Sequence, residues 1–435
     1  WPIRLSDLAH YYDEAEALWQ VHGARGEDPT ENGDEPPYPF AAVRDDPGVA
    51  ALRSHWQAQG WRPFSLPLGV KLDQAHPVTS TCIKCKTCGG YPCLLRAKSD
   101  ARTIAIEPLL DAPNVTLLTG RKVTRLETDP SGRSVTDVVC QTEDGEERWS
   151  GDIVVLAAGA VNTAAVLLAS ANAAHPNGLA NGSDQVGRNY MFHTLTAMVS
   201  LTAAHVDVTF PKTLACNDFY WGDPDGGYDL PMGHIQLLEY MSGQTLEGQV
   251  SDWLPPGMVP DVISEGIAER MLSMLVISED LPLPENRVRV TPDGRINLDY
   301  TYNNLEGHER LVAKLHASLD GFVDHAHPIS QHHFEVGSLL PLYGTAHQAR
   351  TVRFGTDPAS SVLDPWCKAH ELDNLYVTDT SFFPSIASVN PTLTTVANAM
   401  RVGDHLLERL GCVVPPETAR EVGRPRAHKA GESLA

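Results

Sequence analysis

Four cysteines are crowded into one short stretch, in the pattern Cys82-x2-Cys85-x2-Cys88-x4-Cys93. Thiolates at this density can bind Zn²⁺ or an iron–sulfur cluster. The spacing is one residue longer than the bacterial ferredoxin run and lacks the proline that follows it. Two interpretations stay open: a metal centre, which would suit an electron-transfer protein, and a loop of reduced thiols or one disulfide. We favour the thiol loop, with no metal bound.

A histidine-rich segment invites a second metal interpretation. His325, His327, His332 and His333 gather near Asp324. They lie in a predicted loop and lack the i, i+4 spacing that places two ligands on one helix face. We therefore expect solvated or core histidines here.

A third group of polar residues surrounds the start of a predicted C-terminal helix. Asp379 follows an apolar strand, and Asn390-Pro391-Thr392 opens the helix. The free N–H groups of a helix N-terminus can hold an anionic or electron-rich group. Many helix N-termini bind nothing, so a structural role stays open as well.

The elements that must position these residues are of two kinds. The continuous apolar run 153–157 leads through Ala158-Gly159-Ala160 into a helix ending near Ser170, which predicts a strand of a parallel sheet covered on both faces. From 190 to 344 the apolar segments lengthen and alternate, and together with the turn signal Asp293-Gly294 they predict antiparallel sheet. Further predicted helices are a Ser6-capped helix stopping at Gly23, 47–60, 308–322 and 393–410, and further predicted strands are two short ones within 114–127, 134–142, 147–150, 197–201, 234–239, 272–277, 287–291, 296–300 and 374–378.

Composition bounds the class of protein. The 435 residues are 42% hydrophobic and 20% charged, as in a soluble folded chain. A formal charge of −22 argues against nucleic acids and anionic membrane surfaces as partners. The longest apolar run, 153–160, is far shorter than the ~18 residues of a bilayer span. The scattered cysteines favour a reducing, cytoplasmic location.

Three stretches, at 152–193, 344–364 and 374–406, resemble the glucose-methanol-choline (GMC) family of flavin oxidoreductases, and in particular its bacterial branch similar to pyranose oxidases and glycoside dehydrogenases. The resemblance covers nearly the whole chain. It implies a mixed α/β (α+β) fold, FAD as cofactor, and oxidation of a CH–OH donor, a small-molecule alcohol or sugar. It also implies an incomplete Rossmann-like FAD-binding domain beside an antiparallel-sheet substrate domain. The expected parts are 1–75 (helices and loops of the substrate domain or a lid), 76–189 (middle of the FAD domain), 190–343 (substrate domain), 344–412 (C-terminal part of the FAD domain) and 413–435 (mobile tail).

The resemblance also assigns roles to single residues. It places the family's catalytic His/Asn pair at His347 and Asn390. Oxidising an alcohol needs a base for the hydroxyl proton, which a neutral imidazole suits, and a polar group that orients the substrate oxygen, which an amide suits. The expected cofactor contacts are Val123, Ala158, Gly159, Asp379, Asn390, Pro391 and Thr392.

The chain departs from the family pattern in two respects. The G-x-G-x-x-G turn that seats the FAD pyrophosphate is absent, which implies that an upstream segment or a partner chain completes the FAD site. The chain is then a fragment, a processed product or one half of a split enzyme, and a non-catalytic subunit is the alternative function. Arg350 also stands where the family usually has Gly, and Val352 where it often has Cys. A positive φ at position 350 would make arginine costly there.

Overall fold

The computed structural model describes residues 1–33, 35–89, 91–201, 205–249, 257–322, 325–327, 340, 344 and 346–413. The helices are α1 Ala9–Leu18, α2 Pro47–Ala58, α3 Ala160–Ala169, α4 Gly243–Gln249, α5 Asp261–Ala268, α6 Leu305–Ser318 and α7 Thr392–Arg409. The strands are β1 Val21–Gly23, β2 Phe40–Ala41, β3 Phe64–Ser65, β4 Leu68–Gly69, β5 Lys122–Thr128, β6 Val135–Thr142, β7 Gly145–Trp149, β8 Val154–Leu156, β9 Met191–Leu201, β10 Leu214–Cys216, β11 His234–Leu237, β12 Met271–Glu279, β13 Arg287–Val290, β14 Ile296–Asp299, β15 His325–His327, β16 Gln348–Ala349 and β17 Leu375–Val377.

The largest sheet of the described residues is antiparallel. Its strand order is β15-β9-β12-β11-β10-β3, and β16 pairs with the start of β9. The long β9 and β12 pair from Leu201 opposite Met271 to His193 opposite Glu279. Helices α2 and α6 pack into the core on this sheet, where the Trp56 indole N–H donates to Ser318 Oγ at 3.1 Å. The prediction of an antiparallel sheet in this part of the chain is therefore confirmed.

A second unit is the parallel pair of β8 and β17, with Val154 opposite Leu375. Val154 and Leu156 belong to the core that α3 and β17 share, whereas Val155 between them is 43% exposed. Successive strand side chains point to opposite faces, and one face of β8 is left open among the described residues. The prediction of cover on both faces is therefore wrong, while the parallel strand and the helix after it are confirmed.

Two other predicted elements differ from the structure. No strand forms at 115–117, where Leu117 is 56% exposed, because only the segment from Lys122 onward pairs with β6. The first helix begins at Ala9, not after Ser6. Asp7 accepts the Arg4 N–H at 2.7 Å and holds residues 5–7 in a separate 3₁₀ turn.

The histidine-rich segment and the tail are described only in part. His325 and His327 belong to strand β15, which pairs with β9, so the loop predicted for them is wrong. Asp324, His332, His333 and 414–435 lie outside the described residues. Across the parts of the chain that are described, no helix has both the length and the apolar character of a membrane span.

Candidate active site

Strand pairing places two histidines side by side. In the antiparallel pair of β16 and β9, Gln348 lies opposite Phe192. His347, just before Gln348, therefore lies next to His193, just after Phe192. The rings of His347 and His193 accordingly pack edge to face, with centroids 4.9 Å apart. His193 is fully buried, and within the described chain neither of its ring nitrogens has a hydrogen-bond partner.

Both imidazoles are held in the neutral form. Burial lowers the pKa of His347 to about 4, and the positive charge of Lys212 contributes. Burial also holds the pKa of His193 well below its usual value, with a further lowering from His347. The nearby backbone of Val389 and Ala387 raises the pKa of His193 in part. His193 thus packs against the ring of His347 and also lies near the backbone that precedes Asn390.

Asn390 belongs to a chain of polar side chains that starts on β11. Its Nδ2 donates to Gln236 Oε1 at 2.9 Å. The ring of His234 lies within hydrogen-bond distance of the same oxygen, at 3.2 Å, and of Asn217 Oδ1, at 2.8 Å. Complete burial lowers the pKa of His234 to about 4, so it too is neutral. Asn390 is therefore anchored through one amide hydrogen, and within the described part of the chain its second amide hydrogen and its oxygen are left for a ligand.

A cavity of about 420 Å³ lies at the N-terminus of α7. Its wall includes Asn390, Thr392, His234, Asn217 and Asp28. His347 and His193 are not among its lining residues. The structure thus brings Asn390 and Thr392 to the cavity and His347 to His193, whereas the close approach of His347 to Asn390 over one flavin face stays a prediction.

The turn from β8 into α3 is organised by Asp379. Its Oδ2 accepts the Gly159 N–H at 3.0 Å and the Thr163 hydroxyl at 2.5 Å, while Oδ1 accepts the N–H and hydroxyl of Ser381. Gly159 has φ of +82°, and a Cβ built on it would meet no described atom within 4 Å. Ala158 is exposed beside it. This open turn after a strand, at a helix N-terminus, fits the approach of a dinucleotide.

The two remaining predicted cofactor residues lie at opposite ends of this region. Val123 is half-buried in β5, opposite Cys140, where the pairing becomes irregular before Arg125. Pro391 is buried and serves as the N-cap of α7. Their contacts with FAD stay predictions.

Arg350 has the positive backbone φ that would make an arginine costly at this position. Its φ is +74°, a conformation that favours glycine, and the residue is buried. Burial lowers the pKa of its guanidinium to about 10, with a contribution from Arg353. Arg350 therefore adopts, immediately after β16, a backbone conformation that glycine would adopt without strain.

The cysteine segment is a compact loop. Cys82 is buried, and Cys85, Cys88 and Cys93 are partly buried, all four as free thiols. Lys98 Nζ donates to the Cys88 carbonyl at 2.6 Å. No group of three or more His, Cys, Asp or Glu side chains in the described residues is arranged to hold a metal ion, so the described geometry gives the metal interpretation no support.

Sequence reasoning missed the residues that hold the catalytic candidates: His193, His234, Gln236 and Asn217. The signal available for two of them was the i, i+2 pair His234 and Gln236, which places two polar side chains on the same face of an otherwise apolar strand. His193 had no such signal, because its position beside His347 follows from the pairing of β9 with β16.

Known structures share this architecture. A formate oxidase from Aspergillus oryzae that contains FAD superposes with a TM-score of 0.58 at 16% identity, covering 85% of this chain and 72% of that protein. This chain therefore shares the mixed α/β fold of that formate oxidase.

Sequence relatives define the family. Paromamine 6'-oxidase from Streptomyces fradiae is 31% identical over 92% of this chain and 71% of its own length. The 6'''-hydroxyparomomycin C oxidase from Streptomyces lividus is 29% identical over 94% of this chain and 72% of its own length. The N- and C-terminal parts of the GMC oxidoreductase family match residues 58–195 and 284–399. The chain belongs to the GMC oxidoreductase family, whose cofactor is FAD.

Proposed function

We propose that this chain oxidises a CH–OH group of a sugar or a similar alcohol by hydride transfer to FAD, with His347 as the general base and Asn390 as the residue that orients the substrate. The observation that supports it best is the neutral, partly buried imidazole of His347, packed against a second buried histidine. A base must be unprotonated to act, and a pKa of about 4 leaves His347 unprotonated at neutral pH.

His347 and Asn390 would have separate roles in the reaction. His347 accepts the proton of the substrate hydroxyl on a ring nitrogen. Asn390 holds the hydroxyl oxygen through the amide hydrogen that Gln236 does not occupy, so that the C–H bond has one orientation. Bound FAD supplies the acceptor for the hydride.

The residues present fit FAD at two places. The open turn at Ala158 and Gly159 would hold the dinucleotide part, with Asp379 fixing the turn. The N-terminus of α7, with Thr392 on the cavity wall, would hold the electron-rich edge of the ring. Val123 and Pro391 complete the proposed set.

The relatives and the cavity support the proposed substrate class. Two relatives are named as oxidases of paromamine and of a hydroxyparomomycin. The cavity wall offers amide, imidazole and carboxylate groups among aromatic rings, the mixture that polyhydroxylated molecules need. A small sugar-like alcohol is the partner that we propose.

A second candidate is a non-catalytic subunit or a fragment that binds FAD only together with another segment. The absence of a G-x-G-x-x-G turn favours it. The strained Arg350 beside the candidate base favours it as well.

The test compares His347→Gln and Asn390→Ala with His76→Gln, a control at an exposed site, in FAD-loaded full chain. We expect kcat with a sugar donor to fall about 10²- to 10⁴-fold in His347→Gln, because general-base catalysis is worth that much. FAD absorbance and the His76→Gln rate should stay unchanged. Equal kcat in His347→Gln and the unmodified chain would refute the assignment, and absence of FAD absorbance would favour the second candidate.

A further inference from the structure

The cavity at the N-terminus of α7 has an unusual charge balance. Among the described residues that line it, Asp28 is the only acidic one, and none is Lys or Arg. His234 is neutral, because burial lowers its pKa to about 4. Much of the remaining wall is aromatic or aliphatic, including Trp19, Tyr38 and Phe64. The cavity therefore presents one carboxylate among largely apolar surfaces.

The carboxylate of Asp28 is fixed in place but not neutralised. Oδ1 accepts the Thr30 N–H at 2.9 Å and the Thr30 hydroxyl at 2.8 Å. Oδ2 accepts Asn217 Nδ2 at 2.8 Å. All three donors are uncharged. They orient the carboxylate, and they leave acceptor positions for a further donor, since an ionised carboxylate has about four lone-pair sites.

Arg25, three residues before Asp28, is already paired with other carboxylates. Arg25 forms ion pairs with Glu16 at 2.9 Å and Glu31 at 3.0 Å. Its guanidinium also stacks on Tyr38, 3.7 Å from the ring centroid. Two carboxylates thus already balance the single charge of Arg25. The loop beside the cavity is left with a surplus of negative charge, and Asp28 places part of it on the cavity wall.

We propose that Asp28 binds the ammonium group of an amine-bearing substrate, so that the CH–OH donor of this enzyme is an amino sugar. This deepens the proposed function and rests on it. A neutral sugar could satisfy the hydrogen-bonding positions of the wall, but only a cation compensates a carboxylate brought into a partly apolar cavity. Aromatic rings beside the carboxylate add a further attraction for a cation.

The experiment uses three probes that share one pyranose ring: D-glucosamine, with an ammonium group, D-glucose, with a hydroxyl, and N-acetyl-D-glucosamine, with a neutral amide. FAD-loaded full chain is compared with Asp28→Asn, which keeps the shape of the side chain and removes its charge. Asp111→Asn, at an exposed site outside the cavity, is the matched control. Binding is measured by calorimetric titration, and kcat/KM is measured separately.

We expect the unmodified chain to prefer glucosamine over both neutral probes. In Asp28→Asn, binding and kcat/KM for glucosamine should fall about 10- to 100-fold, the range for one charge-assisted hydrogen bond, while values for glucose stay within about twofold. An equal loss for all three probes, or no preference in the unmodified chain, would overturn the proposal. If no probe is oxidised, the proposed function fails, and the titration still decides: charge-dependent binding of glucosamine supports the role of Asp28, and its absence refutes it.

Discussion

At the scale of single residues, the environment of His347 decides whether it can act as a base. Burial is the larger cause of its low pKa, and the ammonium of Lys212 is the second. Lys212 is held by an ion pair with Glu239 at 2.9 Å. Mutation of Lys212 would therefore remove one of the two causes of the low pKa of His347.

We expect Lys212→Met to raise the pKa of His347, because a positive charge near the imidazole disappears and Glu239 loses its partner. Since the base acts only when unprotonated, kcat/KM should decline with falling pH near 4 in the unmodified enzyme and at a higher pH in the variant. A pH profile of kcat/KM measures the shift. Arg289→Met, which breaks the exposed pair with Asp299, is the control. An acid limb that does not move would exclude His347 as the group that titrates.

At the scale of elements, hydrophobic periodicity located most helices and strands, because each strongly patterned segment has a face to bury. It failed at 115–117, where an apolar pattern found no partner strand. It could not place His193 either, since the contact with His347 arises from the register of two strands far apart in sequence. His347 and Asn390 are predicted from motifs, whereas Gln236, which hydrogen-bonds to Asn390, required the structure.

The clearest connection between elements is Asp379, which links the start of α3 to the turn after β17 through Gly159, Thr163 and Ser381. In Asp379→Asn, one side of this network loses its acceptor, because an amide nitrogen would face buried donors. We expect the free energy of unfolding to fall by about 2–3 kcal/mol, the cost of an unsatisfied buried group near a lost charged acceptor. Urea denaturation measures it.

The control for that loss is Asp373→Asn, which breaks the ion pair with Arg133 at 2.8 Å between side chains that are 50% and 63% exposed. Exposed pairs contribute about 1 kcal/mol or less, so this variant should remain close to the unmodified chain. Similar losses in both variants would mean that Asp379 has no special structural role.

At the scale of the whole molecule, β9 joins the two main cores. Met191 and Phe192 at its start pack into the core of β8, α3 and β17, whereas Met198 packs into the core of α2 and α6. His193 lies on this strand between the two sets of contacts. His193 and His347 are therefore placed where the two cores meet.

Buried histidines in and around these two cores make the stability of the fold depend on pH. Burial lowers the pKa of His234, His308 and His347 to about 4, and that of His193 in the same direction. In the unfolded chain these groups take up protons below pH ~6.5. Their contribution to stability is therefore present above pH ~6.5 and is lost as the pH falls, by up to about 3 kcal/mol for each of His234, His308 and His347 as the pH approaches 4. Asp280 acts in the opposite direction, because burial raises its pKa to about 7.

The contribution of His308 can be separated from those of the other titrating groups by comparing how the free energy of unfolding changes with pH in different variants. The ring of His308 lies within hydrogen-bond distance of Thr196 Oγ1 at 2.7 Å and of Ser278 Oγ at 2.9 Å, contacts that a glutamine amide can replace. We expect His308→Gln to reduce the loss of unfolding free energy between pH 7.5 and pH 5, measured by urea denaturation at each pH, because the variant has one fewer group that binds a proton on unfolding. The exposed His76→Gln should keep the original slope. If His308→Gln keeps it as well, His308 does not contribute to the acid sensitivity of the fold.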